Sequence, residues 1–366
     1  MLDRFVYLNP KTRVVFGNGT IKELPAEAAR ANMSRILILC SKGRKELAMS
    51  LFRALGEASV GICDEALPNM PREAFDSVNE QLTNRHADGF VAVGGGSPIG
   101  LAKAVAASSQ VPFIAVVTTL SGSEMSPKWT LGRGVGRASG TDESALPTVA
   151  IYDPELMLGL SSRAIAASGM NAIAHAVESL YGHDTNPVVQ TLAEEAIARL
   201  SQSLPKITVD PNNIDARNEA SYGAWLAANF RATTCIHHVI AQQVRQLFDL
   251  DHAQTHAVVL PYALAFNAPA IPKVIGRLKQ VLKADDPSRV LFDLNVQLGL
   301  PTSLAEVGMP KDRLLDAVDV VMQSTYYNPR PASRADVTCI LEQALAGQRP
   351  EGCSSIKRGK PNSVGV

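Results

Sequence analysis

Four of the seven histidines in this chain lie close together in its C-terminal half, in the stretch HHVIAQQVRQLFDLDHAQTH at 237–256. Such a density is typical of a metal site or of a site for acid–base catalysis, because imidazole binds transition metals and exchanges protons near neutral pH. The interval between the two pairs contains Gln242 and Arg245 but no further histidine. A metal site, a metal site that has lost a ligand, and a pocket that needs no metal all stay open.

A second polar helix is predicted by SGMNAIAHAVESLYG, in which Asn171 and His175 are four residues apart and share one face. His238 and Gln242 have the same spacing in the histidine-rich stretch, and His252 follows after a turn. A lone helical histidine is most often structural, but two such helices favour a shared polar pocket. The predicted catalytic residues are His175, His238 and His252, with His237 and His256 as second choices.

The most informative local motif is FVAVGGGSPIGLAKAVA. A strand-like run leads into Gly94, Gly95 and Gly96, and Ser97 is placed to cap a helix whose first turn contains Pro98. Three glycines let the backbone turn sharply and approach a ligand, and the helix N-terminus offers N–H groups to a pyrophosphate. A tight turn without a ligand is the alternative, but the strand–glycine–helix context favours phosphate binding.

Hydroxyl groups are clustered where the next strand-like run ends, in VVTTLSGSEMSP. Thr118, Thr119 and Ser123 follow the carboxyl end of this strand, the edge at which open parallel sheets bind ligands. Ordinary solvated loop residues would look the same if they stood alone. Together with the glycine turn they predict a dinucleotide, NADH or NADPH, at this edge.

A third candidate cofactor segment, Ser41-Lys42-Gly43-Arg44, follows the strand-like run ILILC. An acidic residue here would bind the adenosine ribose and repel a 2′-phosphate. Since Ser41 and two cations stand here instead, we expect Ser41 to contact the cofactor and NADP(H) to be accepted as well as NAD(H). A solvated basic helix start is the alternative.

The apolar pattern changes near residue 156. Before it, short β-branched runs alternate with helix-like segments, which predicts a doubly wound parallel sheet and an α/β dinucleotide-binding domain over 1–156. After it, consecutive helical patterns predict an all-α substrate domain over 157–348, and 349–366 reads as a flexible tail. The predicted strands, all buried on both faces, are 36–40, 60–63, 90–94, 113–117 and 148–152. The predicted C-terminal helices are 163–182, 188–204, 214–248, 253–268, 272–283, 288–298 and 311–323.

Composition and charge exclude several classes of function. Lys+Arg and Asp+Glu number 35 each, so no net basic charge attracts nucleic acid or an anionic membrane, and neither is an expected partner. The five cysteines are scattered without a CxxC motif, which favours reduced thiols over a disulfide framework. The N-terminus lacks the apolar segment of a signal peptide, and we expect a cytoplasmic protein.

Several motifs together resemble the iron-containing (group III) alcohol dehydrogenases, and among these the maleylacetate reductases most closely. The motifs are GNGT, GGGSPIGLAKA, TTLSGSEMSP, YDPELMLGL, SGMNAIAHAVESLY and DHAQTHAVVLPYALAFN. The resemblance implies the dehydroquinate synthase-like fold of iron alcohol dehydrogenases, with an α/β dinucleotide-binding domain and an all-α C-terminal domain. It also implies a small-molecule oxo-acid substrate and a homodimer.

In the metal-dependent members of this family an aspartate and three histidines bind the ion. The resemblance matches these positions to Asn171, His175, Gln242 and His252. Two of the four are neutral amides, which are poor ligands for iron or zinc. Maleylacetate reductases also have asparagine at the first position, and their reaction is understood to need no metal, so no metal is expected here.

The chain departs from the maleylacetate reductases at Gln242, where they normally keep a histidine followed by a Leu-Gly-Gly-like turn. This chain reads AQQVRQ and gains Arg245. We expect Asn171 and Gln242 to bind substrate through amide N–H groups, and Arg245 or Lys128 to bind a carboxylate.

The implied reaction is NAD(P)H-dependent reduction of the conjugated C=C bond of maleylacetate, or of a close analogue, to a 3-oxoadipate-type product in the degradation of aromatic compounds. Two alternatives stay open. One is a diverged reductase of a different carbonyl or enone substrate, and the other is a dinucleotide-binding protein that has lost reductase activity.

Overall fold

The chain forms two compact units. The computed structural model describes residues 4–8, 11–68, 70–132, 137–230 and 233–353. One unit comprises Met1–Ile173 with Ala198–Arg231, and the other comprises Ala174–Ile197 with Ala232–Val366. This division differs from the predicted boundary near residue 156, because helical segments beyond that position belong to the same compact unit as the sheet. The buried Arg217, for example, donates hydrogen bonds to the carbonyls of Met157 and Leu160.

Strands occupy the N-terminal part of the chain and helices dominate the rest. The strands are β1 Arg13–Phe16, β2 Ile36–Cys40, β3 Ser59–Cys63, β4 Gly89–Gly94, β5 Phe113–Val117, β6 Lys128–Leu131, β7 Ala138–Thr141 and β8 Val149–Tyr152. The α-helices are α1 Leu24–Arg30, α2 Lys45–Leu55, α3 Arg72–Asn84, α4 Gly96–Ser109, α5 Ser162–Ser179, α6 Pro187–Val209, α7 Ile214–Ala228, α8 Ile236–Phe248, α9 His252–Asn267, α10 Pro272–Leu282, α11 Pro287–Gln297, α12 Leu304–Val307, α13 Leu314–Met322 and α14 Arg334–Ala346. None of the helices in these ranges is long and apolar enough to cross a membrane.

A parallel six-stranded sheet organises the first unit, in the order β1-β8-β5-β4-β2-β3. The predicted parallel sheet is confirmed, and the four central strands are buried along their whole length, as their apolar sequences predict. Gly94 at the end of β4 pairs with Val117 at the end of β5. The N–H group of Thr118 then donates to the Gly94 carbonyl at 3.0 Å, so the glycine turn and the hydroxyl-rich loop begin side by side.

Two predictions about single elements are wrong. Strand β3 is half-buried except at Cys63, because it is an edge strand that pairs only with β2. The predicted helix over 214–248 is two helices, α7 and α8, because the side chain of Glu178 accepts the N–H groups of Cys235 and His237 and a new helix begins there. Strand β1 and helix α14 were not predicted; α14 begins at a capping box formed by Ser333 and Asp336.

The second unit has an apolar core to which α8, α9, α13 and α14 contribute. Helix α9 is buried over almost its whole length, because its sequence AVVLPYALAF has no polar face. Helix α8 is amphipathic: Ile240 and Val244 face the core, whereas Gln242 and Gln246 are exposed. These two helices carry the histidine-rich stretch.

A disulfide joins Cys339 of α14 to Cys353, with Cα atoms 6.2 Å apart, so the expectation of reduced thiols is wrong for this pair. After α14 ends, the chain turns back and brings Cys353 against this helix. The Arg330 guanidinium donates a hydrogen bond to the Cys353 carbonyl at 3.2 Å. Cys40, Cys63 and Cys235 are free and buried. The predicted tail is described only over 349–353; its remainder, 354–366, lies outside the described residues.

Candidate functional site

The glycine turn between β4 and α4 is tightly packed on one side and open on the other. Gly94 has a φ of 146°, and a Cβ atom there would lie 2.7 Å from the Pro98 ring. A Cβ atom on Gly95 would lie 2.5 Å from the Thr119 methyl group. A Cβ atom on Gly96 would meet nothing within 4 Å. Packing therefore requires the first two glycines, whereas Gly96 leaves the start of α4 accessible to a ligand.

The predicted cap by Ser97 is wrong. Helix α4 begins at Gly96 with Gly95 as its N-cap residue, so Ser97 lies inside the first turn. The helix starts earlier than predicted because a glycine adopts the N-cap conformation without steric cost. The N-cap has no side chain to accept the first N–H groups, and these are the groups that bind phosphate at a helix N-terminus.

Three hydroxyl groups near this turn are buried. The oxygens of Thr118, Thr119 and Ser121 have no hydrogen-bond partner among the described residues. A buried hydroxyl without a partner costs roughly 1–3 kcal/mol, so several of them beside an accessible helix N-terminus favour a polar ligand. The residues of the glycine turn and of this loop therefore fit a dinucleotide.

Ser123 has a different environment from the other predicted cofactor residues. Its carbonyl and hydroxyl oxygens accept hydrogen bonds from the Lys103 ammonium group at 2.7 and 3.4 Å. Burial lowers the pKa of Lys103 to about 8 and raises the pKa of the neighbouring Glu124, which accepts a 2.6 Å hydrogen bond from Tyr152. Sequence reasoning missed Lys103, although it is the one charged residue of an otherwise uncharged helix.

The third predicted cofactor segment follows β2. Ser41 forms an isolated bridge with Glu65, and Lys42 beside it is exposed, whereas Arg44 is half-buried. Lys45 differs from these two cations, because its ammonium group pairs with Asp64 at 2.8 Å.

The histidines of the second unit converge from α5, α8 and α9. The Nε2 atoms of His175 and His238 are 3.3 Å apart. The His256 ring centroid lies 4.9 Å from that of His238 and 4.5 Å from that of His252, and the His237 ring contacts both His238 and His256. The three predicted catalytic histidines and the two second choices therefore form one cluster.

This cluster has a buried side and a more exposed side. His237, His238 and His256 are buried, whereas His175 is half-buried and His252 is exposed.

The exposed side continues along α8. Gln242 lies one turn after His238 and is exposed, and Arg245 is half-buried. Desolvation and then the charge of Arg245 lower the pKa of His252, which places Arg245 near this histidine.

Glu178 lies behind the cluster and was missed by sequence reasoning. Its carboxylate accepts the N–H groups of Cys235 and His237, both at 2.9 Å, and lies 2.6 Å from Nδ1 of His238. Burial raises its pKa, and these donors oppose that shift. The signal was the single acidic residue of the motif SGMNAIAHAVESLYG, three positions after His175.

The imidazoles of His237 and His256 are neutral at neutral pH. Desolvation, followed by the charge of His238, lowers the pKa of His237 to about 4. Desolvation also lowers the pKa of His256 well below its ordinary range. The Nε2–H group of His237 donates to the His256 carbonyl at 2.9 Å, so neutral His237 has its lone pair on Nδ1. His237 therefore acts as a hydrogen-bonding group rather than as an acid, whereas neither ring nitrogen of His256 has a hydrogen-bond partner among the described residues.

A metal ion does not fit well among the buried histidines. Ring nitrogens of His237, His238 and His256 lie within 4.8 Å of one another, which is close enough to surround an ion. Nε2 of His237 is engaged by a carbonyl, however, and Nδ1 of His238 lies against Glu178. An ion bound by Nδ1 of His238 would have to displace the Glu178 contact.

The ligand set implied by the family resemblance is also a weak one. It includes the amides of Asn171 and Gln242, which bind iron or zinc poorly, and Gln242 is exposed.

Two predicted substrate residues belong to the first unit. Asn171 is buried, and its amide oxygen has no hydrogen-bond partner among the described residues. Lys128 begins β6 and is exposed, and its charge contributes to the lowered pKa of Lys103. Their roles as substrate ligands stay predictions.

A glycine turn that fits a dinucleotide, on a parallel sheet, and a histidine cluster in a helical unit indicate a dinucleotide-dependent oxidoreductase. Two family models agree: "Iron-containing alcohol dehydrogenase" matches residues 10–154 and "Fe-containing alcohol dehydrogenase family, C-terminal" matches residues 165–345. The chain belongs to the iron-containing alcohol dehydrogenase family.

Curated relatives cover nearly the whole chain. A maleylacetate reductase from Sphingobium indicum is 39% identical over 95% of this chain and 99% of its own length. A second maleylacetate reductase, from Pseudomonas sp. strain P51, is 37% identical over 93% of this chain and 97% of its own.

Solved structures confirm the fold. A putative alcohol dehydrogenase from Ralstonia eutropha JMP134 superposes with a TM-score of 0.92 at 37% identity, covering 95% of this chain and all of its own. Maleylacetate reductase from Agrobacterium tumefaciens has the same TM-score and coverage at 34% identity.

Proposed function

We propose that this chain is an NAD(P)H-dependent, metal-independent reductase of maleylacetate or of a close oxo-acid analogue. The observation that carries the proposal is its identity of 34–39% to maleylacetate reductases over nearly its full length. The fit of the glycine turn to a dinucleotide supports the cofactor, and the weak metal ligands support a reaction without a metal.

The reaction moves a hydride and a proton. When bound, the nicotinamide would supply a hydride to the alkene carbon β to the ketone, so the site must hold the negative charge that develops on the ketone oxygen. A proton then adds to the α carbon, so NAD(P)H, a proton and maleylacetate give NAD(P)⁺ and 3-oxoadipate. The protein must stabilise the enolate oxygen, bind two carboxylates and supply the proton.

The second unit supplies groups for these tasks. His175, His238 and His252 are the proposed catalytic residues: His175 and His252 donate to the enolate and supply the proton, and His238 contacts His175 through Nε2. His175 and His252 are on the more exposed side of the cluster, and the lowered pKa of His252 leaves it a neutral N–H donor at neutral pH. Arg245, near His252, is the proposed cation for a substrate carboxylate, and Gln242 on the same helix supplies an amide N–H group. In the first unit, Asn171 and Lys128 are proposed as additional substrate ligands.

The first unit supplies the nucleotide site. We propose that Gly94, Gly95, Gly96 and Ser97 bind the pyrophosphate and that the hydroxyls of Thr118, Thr119 and Ser123 bind nearby groups of the cofactor. Ser41 is the proposed contact to the adenosine ribose, with the adjacent cations accepting a 2′-phosphate.

The direct test is oxidation of NADH or NADPH by desalted protein with freshly generated maleylacetate, with and without EDTA. We expect turnover on the order of 1–10 per second, unchanged by EDTA, in protein without stoichiometric iron or zinc by elemental analysis. Absence of turnover with either nucleotide would exclude the reductase function. Loss of activity with EDTA, restored by iron or zinc, would exclude metal independence.

A second candidate is a reductase with a different enone or carbonyl substrate. The observation that favours it is the exposed Gln242, which stands near Arg245 on α8 where maleylacetate reductases are expected to have histidine. Gln242→Asn is the matched control for Gln242→His. Two results together would support this candidate. Gln242→His, but not Gln242→Asn, should gain maleylacetate turnover by a large factor, and the wild type should prefer another oxo acid.

We also propose that the protein is a homodimer, as the family resemblance implies. Light scattering after size-exclusion chromatography should give about twice the chain mass of 39.0 kDa. A mass of one chain at micromolar concentration would contradict this.

A further inference from the structure

We propose that Glu178 is a positioning residue that keeps the proton of His238 on Nδ1 and so leaves Nε2 of His238 as an acceptor towards His175. Its kinetic consequence rests on the proposed reductase function. The tautomer itself rests only on the hydrogen bonds within the second unit.

The Glu178 carboxylate is fixed at the N-terminus of α8. Its Oε2 atom accepts from the Cys235 N–H group and its Oε1 atom accepts from the His237 N–H group, each at 2.9 Å. Cys235 is the N-cap residue of α8 and makes no capping bond with its own side chain, so Glu178 of α5 supplies the cap. The amide oxygen of Asn328 accepts the Ile236 N–H group at 3.4 Å, which completes the start of the helix.

The start of α8 stabilises the carboxylate form of Glu178 and so opposes the rise in its pKa that burial causes. Two backbone N–H groups point at its oxygens, and the positive end of the α8 dipole adds to their effect. The residue is 1% exposed, so its orientation is set by these bonds and not by water.

Nδ1 of His238 lies between two acceptors. Oε2 of Glu178 is 2.6 Å away, and Nδ1 of His237 is 3.2 Å away. Neutral His237 uses its one N–H group on the His256 carbonyl, so its Nδ1 atom carries a lone pair. Both neighbours accept, and His238 therefore carries its proton on Nδ1.

When His238 is neutral, its lone pair is then on Nε2, 3.3 Å from Nε2 of His175. For a hydrogen bond to form there, His175 must donate. Glu178 thus determines the direction of the His175–His238 contact without touching substrate. It also stabilises the imidazolium that forms when His238 accepts a proton, as a carboxylate does behind a catalytic histidine.

Glu178→Gln is the principal variant, because it preserves size and removes the charge. We expect kcat to fall about 100-fold, the lower end of a general acid–base contribution, with the KM for maleylacetate and the affinity for NADPH unchanged. Glu178→Asp keeps the charge but shortens the reach, and should give an intermediate kcat.

The matched control is Asp286→Asn. It makes the same acid-to-amide change at the N-cap of α11, where the Asp286 side chain accepts the Arg289 N–H group at 3.2 Å. This variant weakens a helix start in the same unit without altering the histidine contacts, and its kcat should equal that of the wild type.

The tautomer is read directly from long-range ¹H–¹⁵N spectra of protein labelled with ¹⁵N-histidine, with His238 assigned by its absence in His238→Asn. We expect the Nδ1–H pattern at His238 in the wild type and its loss or mixing in Glu178→Gln. An Nε2–H pattern at His238 in the wild type would overturn the inference, even if the glutamine variant did not fold.

An unchanged kcat in folded Glu178→Gln would also overturn the positioning role. Failure of the proposed function has a different signature. The wild type would then not turn over maleylacetate, yet would show the Nδ1–H pattern and its dependence on Glu178.

Discussion

Arg245 adds a positive charge that is not expected from the pattern of maleylacetate reductases. It is half-buried near His252, and a bond from a guanidinium to a carboxylate contributes about 1.5–3 kcal/mol. We expect Arg245→Ala to raise the KM for maleylacetate about 10- to 100-fold with little change in kcat. Steady-state kinetics measures this split.

The control for Arg245 is Arg313→Ala. Arg313 is an exposed arginine of the same unit that stacks on Phe248 and pairs with Asp316, and its loss should leave the KM unchanged. Equal KM values for Arg245→Ala and the wild type would remove Arg245 from the substrate site.

Lys103 gives the first unit a specific dependence on pH. Its folded pKa is lowered to about 8 from 10.5 by burial, so between these values the unfolded chain holds more protons than the native protein. Stability contributed at this residue therefore rises with pH through this window, by up to about 3 kcal/mol. Below pH 8 Lys103 is charged in both the folded and the unfolded state, so the free-energy cost of burying its charge is fully present.

The measurement is urea unfolding of the wild type and Lys103→Met at several pH values from 7 to 10. The free energy of unfolding of the wild type minus that of the variant should increase with pH. A constant difference would show that Lys103 keeps an ordinary pKa in the folded protein.

At the scale of elements, the glycine turn separates packing from ligand binding. Gly95→Ala places a methyl group 2.5 Å from Thr119, and we expect a loss of stability of about 1–3 kcal/mol. Gly96→Ala meets no neighbour within 4 Å, so stability should be unchanged while NADH and NADPH bind more weakly. Chemical unfolding and nucleotide titration measure the two effects separately, and unchanged nucleotide affinity in Gly96→Ala would indicate a turn without a ligand role.

The disulfide of α14 attaches the segment that follows the helix. Cys339 and Cys353 are separated by 14 positions, and closing a loop of this size stabilises by roughly 3 kcal/mol in the chain-entropy account. We expect Cys353→Ser, or reduction of the wild type, to lower the unfolding temperature. Cys63→Ser, at a free buried cysteine, keeps the bridge, so reductant should lower its unfolding temperature as it does that of the wild type. Detection of both thiols as free in the unreduced protein by mass spectrometry would contradict the bridge.

At the scale of the whole molecule, the features that could be predicted from the sequence are those that a local pattern of residues determines. Strands β2, β4, β5 and β8 are continuous apolar runs because both of their faces are buried, and the histidine cluster was indicated by composition alone. The predictions for edge strand β3 and for the break before α8 were wrong, because both features depend on partners distant in sequence. Glu178 is 57 positions before Cys235, whose N–H group it accepts, and no periodicity reports such a contact.

Nucleotide binding distinguishes an active reductase from a protein that has only kept its dinucleotide site. A ligand that binds only the native state at about 100 times its Kd raises the free energy of unfolding by roughly 2.7 kcal/mol, so NADPH and NADH should each stabilise the protein. Lys42→Ala with Arg44→Ala should weaken the effect of NADPH and preserve that of NADH. Lys45→Ala is the matched control, because this neighbouring cation already pairs with Asp64. Thermal unfolding with each nucleotide measures the shifts in unfolding temperature. If the double variant loses the stabilisation by NADH as well as that by NADPH, Lys42 and Arg44 act in folding. If the nucleotides stabilise the wild type but it turns over no oxo acid, the non-catalytic alternative is favoured.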